Sequence, residues 1–315
     1  MKILVTGATG FFGRVLCAQL DAAGHEVVSL GSKNCDLTKQ QSLDSYSHVS
    51  YDQIYHLAAW TQAGDFCLDH PGEQWIINQY INSNVLAWWQ RKQLQAKLIC
   101  IGTSCAYDPN LPAVEENYLQ GQPIESLYTY AMTKRMLYVG LRAIRQQFGG
   151  TFLYVVPSTL YGPGYHTDGR QMHFIFDLIR KILQGKYYQS PVVLWGDGYQ
   201  ERELIFVDDF VRRLLALTEN NQEEIVNVGT GEALSIRHFA KCICDQVNYP
   251  FENIQFDTSR YVGAQSKYLQ VEKLKTMFPD FTLTSLEEGL EKTICWFLNQ
   301  EQWKKTSQSK GFTHA

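Results

Sequence analysis

The sequence predicts an α/β protein with a Rossmann-type doubly wound parallel sheet and a smaller, mainly helical C-terminal substrate lobe. Three observations support this fold class. A short apolar strand at residues 2–6 leads directly into a glycine-rich loop and a helical pattern. Apolar strands then alternate with helical segments up to about residue 164. Beyond that point the alternation stops, and the chain is mainly helical up to about residue 300.

Length and composition exclude several classes of function. The 315 residues are 45% hydrophobic, which is enough for a substantial core. With a net charge of -4 and no long run of one sign, neither nucleic acid nor an anionic membrane surface is an expected partner. We see no signal-peptide pattern and no membrane-spanning stretch, so we expect a cytoplasmic protein. The eight cysteines show no metal-ligand spacing, and no metal site is predicted.

The strand and helix pattern also predicts a division of the chain. We assign residues 1–164 and 204–229 to a dinucleotide-binding domain. Residues 165–203 and 230–300 would form the substrate lobe. The polar residues 301–315 are expected to be a frayed tail.

The glycine-rich loop is the first candidate site. Residues 7–13 read GATGFFG and open a helix directly after a strand. Glycines permit a tight turn and let backbone N–H groups approach a pyrophosphate, which the helix N-terminus also attracts. The predicted cofactor-binding residues in this loop are Gly7, Thr9, Gly10, Phe11, Phe12 and Gly13.

The end of the second strand bears on the choice of cofactor. An NAD-selective site commonly has an acidic residue there, which binds the ribose diol. In this chain the strand at residues 25–30 is followed by no acid until Asp36. Ser32 and Lys33 could hold a 2′-phosphate, so NADP(H) is favoured over NAD(H). Asp36 is expected near the adenine ring.

A later strand and two helix boundaries complete the predicted framework. The strand at residues 53–59 ends in small residues, past which a dinucleotide could run close to the backbone. A long helix is predicted from about Gln74 to Gln93. Asp208 and Asp209 are expected to cap the helix that follows them. The cofactor-binding residues predicted at strand ends are Leu57, Ala58, Ala59 and Pro157.

The candidate catalytic residues surround one central strand. The strand at residues 97–102 places Thr103 at its carboxyl end, where doubly wound sheets bind ligands. Tyr130 and Lys134 lie one turn apart in the next helix and share a face. An ammonium at that distance is expected to favour the phenolate and to bring the hydroxyl into a useful range for proton transfer. Together the three residues form the donor set that a carbonyl needs when it receives a hydride.

Five short motifs are more specific indicators of a protein family than the spacing of these three residues. They are GTSCAY at 102–107, LYGP at 160–163, LWGDG at 194–198, RE at 202–203 with VDD at 207–209, and NVGTG at 227–231. With them the chain resembles the extended short-chain dehydrogenase/reductase superfamily and, within it, the family of GDP-fucose synthases. The resemblance covers roughly residues 2–300.

The resemblance implies NADPH-dependent reduction at C4 of a nucleotide-linked 4-keto-6-deoxy sugar, with GDP as the expected nucleotide, after epimerisation at C3, C5 or both. Tyr130 would protonate the new alkoxide, Lys134 would also hold the nicotinamide ribose, and Thr103 would replace the family's serine. Cys105 and His173 would form the acid/base pair that inverts the ring carbons. A homodimer is implied as well. The implied substrate-binding residues are Ser104, Lys181, Leu194, Trp195, Arg202 and Lys267.

Departures from the family pattern leave alternatives open. Ser158 and Thr159 replace the usual Thr-Asn pair, and Lys181 stands where arginine is usual, so the sugar and the number of inversions are not determined. The alternatives are a C4-reductase without epimerisation, an NAD-dependent nucleotide-sugar 4-epimerase, and a non-catalytic dinucleotide-binding regulator. A 4,6-dehydratase is disfavoured, because Ser104 and Cys105 supply no acidic pair after Thr103.

Overall fold

The computed structural model describes residues 1–220, 224–260 and 264–300, so the predicted tail at 301–315 lies outside the described residues. Its strands are β1 (Lys2–Thr6), β2 (Glu26–Leu30), β3 (Gln53–His56), β4 (Lys97–Ile101), β5 (Phe152–Pro157), β6 (Thr159–Tyr161), β7 (Val192–Trp195), β8 (Glu201–Arg202), β9 (Leu204–Phe206), β10 (Ile225–Val228), β11 (Leu234–Ser235), β12 (Ile254–Asp257) and β13 (Ser266–Lys267). Its helices are α1 (Phe11–Ala22), α2 (Phe66–Asp69), α3 (Pro71–Lys92), α4 (Tyr128–Phe148), α5 (Phe174–Tyr188), α6 (Val207–Glu219), α7 (Ile236–Val247), α8 (Glu272–Met277) and α9 (Leu286–Leu298).

A six-stranded parallel sheet in the order β10-β5-β4-β3-β1-β2 forms the centre of the molecule. Its inner strands β4 and β5 are almost entirely apolar and buried, as expected where helices cover both faces of a parallel sheet. The chain reverses direction across the sheet between β1 and β3, and ligands bind outside the carboxyl ends of strands at such a switch point. The predicted Rossmann-type architecture is confirmed.

Two helix boundaries show how local chemistry decides where a helix begins and ends. Helix α3 begins at Pro71, three residues before the predicted Gln74, because proline at the first helical position needs no N–H partner and has its φ preset. Helix α4 ends at Phe148. Gly149 follows it with a φ of 82°, in the left-handed conformation that glycine adopts readily.

The predicted cap of α6 is wrong. The helix already begins at Val207, so Asp208 and Asp209 lie inside its first turn. Asp209 is buried and its carboxylate accepts hydrogen bonds from the backbone N and the hydroxyl of Thr284, at 2.7 and 3.1 Å. It therefore joins α6 to the segment before α9. Both acids still lie at the positive end of the helix dipole.

The buried side chains form two hydrophobic cores. The first surrounds the central sheet, and the second lies in the C-terminal part of the chain, where α5, α7 and α9 supply many of its members. Strand β9 contributes to both, because alternate residues of a strand face opposite sides: Leu204 and Phe206 lie in the second core and Ile205 in the first. The short strand sets β11-β8-β13 and β12-β7 were not predicted. Within the described ranges, no helix is both long and apolar enough to cross a bilayer.

Candidate active site

The glycine loop is packed too closely to accept side chains. Gly7 has a φ of 69°, and a Cβ there would lie 2.8 Å from the backbone N of Ala58. A Cβ on Gly13 would lie 2.3 Å from the carbonyl oxygen of Gly7. Gly10 is the N-cap of α1 and has no side chain with which to satisfy the first N–H groups of the helix. These features fit the diphosphate of a dinucleotide, which the helix dipole would also favour.

The two phenylalanines of the loop anchor it to the protein. The ring of Phe11 contacts the rings of Tyr165 and Phe176 edge-on, with centroids 5.3 and 5.7 Å apart. The ring of Phe12 contacts Phe210 on α6 in the same way at 5.4 Å. Their side chains therefore pack into the two cores, and only their backbone N–H groups remain at the start of α1 for a cofactor.

The residues predicted to select NADP follow the end of β2. Ser32 and Lys33 are exposed, and the Gly31 that precedes them lies against the side chain of Thr9 in the glycine loop. Asp36 is exposed as well, but its carboxylate accepts hydrogen bonds from the hydroxyl and the backbone N of Thr38, at 2.6 and 3.1 Å. These bonds lower the pKa of Asp36 and hold its side chain in its own turn.

A buried histidine that sequence reasoning missed holds the end of β3, where the dinucleotide is predicted to pass. His56 Nε2 lies 3.1 Å from the amide oxygen of Asn82, and Nδ1 lies 2.9 Å from the hydroxyl of Thr6. Since the amide oxygen can only accept, Nε2 carries the proton and Nδ1 accepts from Thr6. Thr6 Oγ1 in turn accepts from the backbone N of Leu57 and Ala58, at 3.2 and 3.4 Å. Burial lowers the pKa of His56 to about 4.

Thr103 shapes the turn that carries Ser104 and Cys105. It is buried just after β4, and its side-chain oxygen accepts a hydrogen bond from the backbone N of Cys105 at 3.2 Å. Its own backbone N donates to the hydroxyl of Tyr118 at 3.4 Å. Ser104 and Cys105 are half-buried in this turn. The carboxyl end of β4 thus presents a hydroxyl and a thiol to the same region.

The geometry of Tyr130 and Lys134 corrects one expectation. Lys134 Nζ donates to the carbonyl oxygen of Ile101 at 2.8 Å and lies 5.9 Å from the centre of the Tyr130 ring. The lysine thus ties the tyrosine-bearing helix to the end of β4. Burial, followed by the nearby Cys105, raises the pKa of Tyr130, so the predicted lowering by the ammonium is wrong. Burial also lowers the pKa of Lys134, to about 8.

Arg135 is a second residue that sequence reasoning missed. Its buried guanidinium donates to the carbonyl oxygen of Ala106 from two nitrogens, at 2.9 and 2.6 Å, and to those of Gln120 and Gly121 at 2.6 and 2.8 Å. These bonds fasten the Cys105 turn and the loop after it to α4. The available signal was an arginine directly after Lys134, on the side of the helix that faces the protein.

Cys105 has a cationic partner from the far end of the chain. Lys267 Nζ lies 2.9 Å from the Cys105 sulfur, although 162 positions separate the two residues. Burial alone would raise the pKa of the thiol, but the Lys267 ammonium and hydrogen bonds from Lys267 and Thr103 outweigh it, so the pKa is lowered. The sequence resemblance implied that Lys267 binds substrate and gave no sign of this contact.

His173 is the N-cap residue of α5, which begins at Phe174. The residue is exposed, yet protein atoms crowd its imidazole, and this crowding together with the Lys267 ammonium lowers its pKa below the usual range. Water that reaches the exposed residue reduces the size of this effect and leaves its direction unchanged. His173 and Cys105 therefore lie within the electrostatic reach of the same ammonium.

The remaining predicted substrate residues fall into two groups. Arg202 on β8 is the register partner of Lys267 on β13, so two cations stand side by side near Cys105. Trp195 is exposed at the end of β7, with the guanidinium of Arg260 5.5 Å from its ring. The other two predicted substrate-binding residues contact the protein itself. Leu194 is buried in the second core, and Lys181 pairs with Asp177 of α5 at 3.0 Å.

Comparison with known proteins gives one family. Residues 3–229 match the NAD dependent epimerase/dehydratase family. The chain is 30% identical to GDP-L-fucose synthase of Dictyostelium discoideum, covering 94% of this chain and 95% of that protein. It is also 30% identical to dTDP-4-dehydro-6-deoxy-D-allose reductase of a Streptomyces species, with the same coverage. The crystal structure of a GDP-L-fucose synthetase from Naegleria fowleri bound to NADP superposes with a TM-score of 0.83, at 27% identity over 94% of both chains.

Proposed function

Because this chain belongs to the NAD dependent epimerase/dehydratase family, we propose that it is an NADPH-dependent enzyme that reduces the C4 ketone of a nucleotide-linked 4-keto-6-deoxy sugar after inverting C3, C5 or both. GDP is the proposed nucleotide, since relatives named as GDP-L-fucose synthase and GDP-L-colitose synthase cover nearly the whole chain. The observation that carries the proposal is the placement of Thr103, Tyr130 and Lys134 around the carboxyl end of β4.

The proposed cofactor site consists of the glycine loop and the residues after β2. Backbone N–H groups at the start of α1 would hold the diphosphate, and Ser32 and Lys33 would hold the 2′-phosphate. A bound NADPH supplies the hydride. NADP bound to the Naegleria fowleri protein supports this choice of cofactor.

In the reduction, the protein's own groups manage the charge that develops on the sugar. Hydride addition at C4 leaves negative charge on O4, to which the Tyr130 hydroxyl would give its proton and the Thr103 hydroxyl a hydrogen bond. The raised pKa of Tyr130 suits this role, since the phenol keeps its proton until the oxyanion forms. Lys134 would hold the nicotinamide ribose and keep α4 against β4.

The proposed inversion uses Cys105 and His173. A proton on a carbon next to a ketone is acidified because its removal gives an enolate, and the donors that face O4 would stabilise that charge too. The lowered pKa of Cys105 supports its participation in proton transfer. Reduction without inversion is the second candidate, which the similarity to dTDP-4-dehydro-6-deoxy-D-allose reductase favours.

The test is a panel of GDP- and dTDP-linked 4-keto-6-deoxy sugars, incubated in deuterated water with NADPH or NADH and analysed by NMR. We expect NADPH oxidation, a reduced C4 in the product, and deuterium at C3, C5 or both. Loss of the label in Cys105→Ser would assign the inversion to that residue. A reduced product without label supports the second candidate, and no reduction of any substrate would contradict both.

We also propose that the chain forms a homodimer through α3 and α4. These helices lie against each other, with Leu86 of α3 close to Gly140 of α4. Both nevertheless expose large apolar side chains, which a second copy could cover by the same pair of helices. The exposed residues include Ile76 and Tyr80 on α3 and Met136 and Val139 on α4.

For the domains, we propose the division predicted above, with residues 1–164 and 204–229 as the dinucleotide-binding domain and 165–203 and 230–300 as the substrate lobe. Most members of the first core lie in the dinucleotide-binding ranges and most of the second in the substrate ranges, which supports the division. The two parts are interlocked at their boundary: Leu269, Val271 and Leu274 lie in the first core, and Tyr161, Leu204 and Phe206 in the second. In this arrangement the site residues Cys105 and Lys267 come from different lobes.

A further inference from the structure

The contact between Cys105 and Lys267 gives the lysine a role that the resemblance did not assign. At 2.9 Å, the ammonium is within hydrogen-bond distance of the sulfur, and the side chain of Thr103 adds a second hydrogen bond. A cation beside a thiol favours the thiolate, which is the nucleophilic and basic form of cysteine. We propose that Lys267 is a positioning residue that stabilises the thiolate of Cys105 and thereby prepares it to take a proton from the sugar. This role rests on the inversion proposed above.

The lysine is held at this distance by its backbone. Lys267 is paired with Arg202 in the β8–β13 ladder, and its carbonyl oxygen accepts from the backbone N of Glu203 at 3.2 Å. Glu203 is buried, and its carboxylate accepts from the backbone N of Leu269 at 2.7 Å and from Thr230 N at 2.6 Å. Lys267 is therefore fixed to β8 and to Glu203, the residue that follows this strand, and its side chain starts from a defined position.

The other titratable groups near Cys105 do not compete for the ammonium. Cys67, Tyr118 and Tyr130 each interact electrostatically with Cys105, and burial raises the pKa of all three, so they are neutral near pH 7. Arg202 also interacts with Cys105 and adds a second positive charge. Around the sulfur, the described groups thus provide two cations, and the thiolate is the anion that complements them.

The proton transfer follows directly. The thiolate removes the proton from the ring carbon next to the C4 ketone, forming an S–H bond, while the C–H electron pair becomes the enolate with its charge on O4. His173 would return a proton to the opposite face of that carbon and be recharged from water, which reaches the exposed residue. Crowding by protein atoms, followed by repulsion from the Lys267 ammonium, lowers the pKa of the imidazole, and a bound diphosphate would offset the second of these causes. The Cys105 thiol then releases its proton to solvent.

The experiment measures the ionisation of Cys105 without substrate. The full chain is alkylated with iodoacetamide across a range of pH, and modification of Cys105 is followed by peptide mass spectrometry. The pH at which the alkylation rate of Cys105 is half-maximal is the midpoint. We expect Lys267→Met to raise this midpoint by about one pH unit, so that Cys105 is alkylated about tenfold more slowly at pH 7. Lys267→Arg, which keeps the positive charge, should restore most of the rate.

Controls separate this effect from loss of structure. Lys273→Met removes a lysine that pairs with Glu224 away from the site and should leave the midpoint unchanged. The exposed Cys295 reports general thiol reactivity in each sample, and thermal melting shows whether each variant is folded. If Lys267→Met does not fold, Lys267→Gln replaces it. An unchanged midpoint in a folded variant without the positive charge would overturn the proposal. Because no sugar is added, this result is independent of whether the proposed reaction occurs.

Discussion

The phenol of Tyr130 lies in surroundings that oppose its ionisation. It is crowded by protein atoms, and a thiolate at the nearby Cys105 would disfavour a second negative charge. A group in this environment serves better as a proton donor than as a base. This agrees with the direction of the proposed reaction, in which the sugar oxygen gains charge and the tyrosine supplies the proton.

Replacement of Tyr130 tests this role. We expect Tyr130→Phe to lower the rate of 4-keto-sugar reduction by about 10²- to 10⁴-fold, the usual contribution of a positioned acid. NADPH affinity should be nearly unchanged, because Lys134 and the glycine loop remain. NADPH oxidation and a fluorescence titration of NADPH binding measure the two effects. Tyr128→Phe removes an exposed hydroxyl at the start of the same helix and serves as the control. Equal turnover in both variants would remove Tyr130 from the mechanism.

The pH dependence of Lys134 gives a second prediction. Burial lowers its pKa to about 8, so the amine loses its charge as the pH rises through that value. We expect kcat/KM for NADPH, which reports the free enzyme, to fall above pH 8. Lys134→Arg, which stays charged, should show no decline in this range at whatever activity it retains. A wild-type profile that stays level up to pH 10 would contradict this assignment.

Sequence spacing located some of these residues and could not locate their partners. Thr103 was predictable from its place after an apolar strand, and the pairing of Tyr130 with Lys134 from the helical repeat. The contact of Lys267 with Cys105 was not, because it depends on how β13 pairs with β8. The state of the Tyr130 phenol was also beyond reach, since it depends on burial by residues distant in the chain.

Among the elements, α4 has a structural task besides carrying Tyr130. Arg135 fastens the turn after β4 and the loop around Gly121 to this helix through four hydrogen bonds to backbone carbonyl oxygens. Methionine has similar reach and no donors, so Arg135→Met would leave the carbonyl oxygen of the buried Ala106 without this partner. The position of Cys105 therefore depends on the residue next to Lys134.

We expect Arg135→Met to lower the free energy of unfolding by about 2–4 kcal/mol, since hydrogen bonds to a charged group are lost and the buried carbonyl oxygen of Ala106 loses its donor. Urea denaturation followed by circular dichroism measures this change. Arg142→Met, on the exposed side of the same helix, should cost less than about 0.5 kcal/mol. A similar loss in both variants would mean that the four hydrogen bonds contribute little.

The long elements were predictable and the short ones were not. The apolar runs of β4 and β5 and the glycine after α4 are strong local signals. The two-residue strands β8, β11 and β13 have no repeat that a sequence could display, and they exist because they pair with one another. Asp208 and Asp209 resemble a cap in sequence, but the helix starts earlier and uses Asp209 for a contact with Thr284.

At the scale of the whole molecule, the buried His56 makes the folded protein less stable at acidic pH. Its pKa is about 4 in the folded protein, compared with 6.5 for an ordinary histidine. Between these two pH values the unfolded chain therefore binds more protons than the folded protein. The contribution of His56 to the free energy of unfolding is fully present above pH 6.5 and is lost as the pH falls towards 4. This difference corresponds to about 3 kcal/mol.

A comparison with His56→Gln isolates this contribution from those of other histidines. The glutamine variant does not titrate, so its stability disadvantage relative to wild type should shrink by about 2–3 kcal/mol between pH 7 and pH 4.5. Urea midpoints at several pH values provide the measurement. A stability difference that stays constant with pH would show that His56 is not buried as a neutral side chain.

The proposed dimer is tested at the same scale. We expect the protein to elute as a dimer in size-exclusion chromatography with light scattering. Ile76→Glu combined with Val139→Glu should shift it to a monomer, because carboxylates would be buried in the contact. Leu111→Glu, at another exposed apolar position, is the control. A wild-type monomer at micromolar concentration would contradict the proposal.

Strand β9 has a consequence for any attempt to exchange substrate lobes between related proteins. Its three residues alternate between the two cores, with Leu204 and Phe206 on one side and Ile205 on the other. A chimera joined at this strand would have to take the outer two side chains from the donor of the lobe and the middle one from the donor of the sheet. A junction placed without regard to this alternation would mismatch one interior even if the other were transplanted intact.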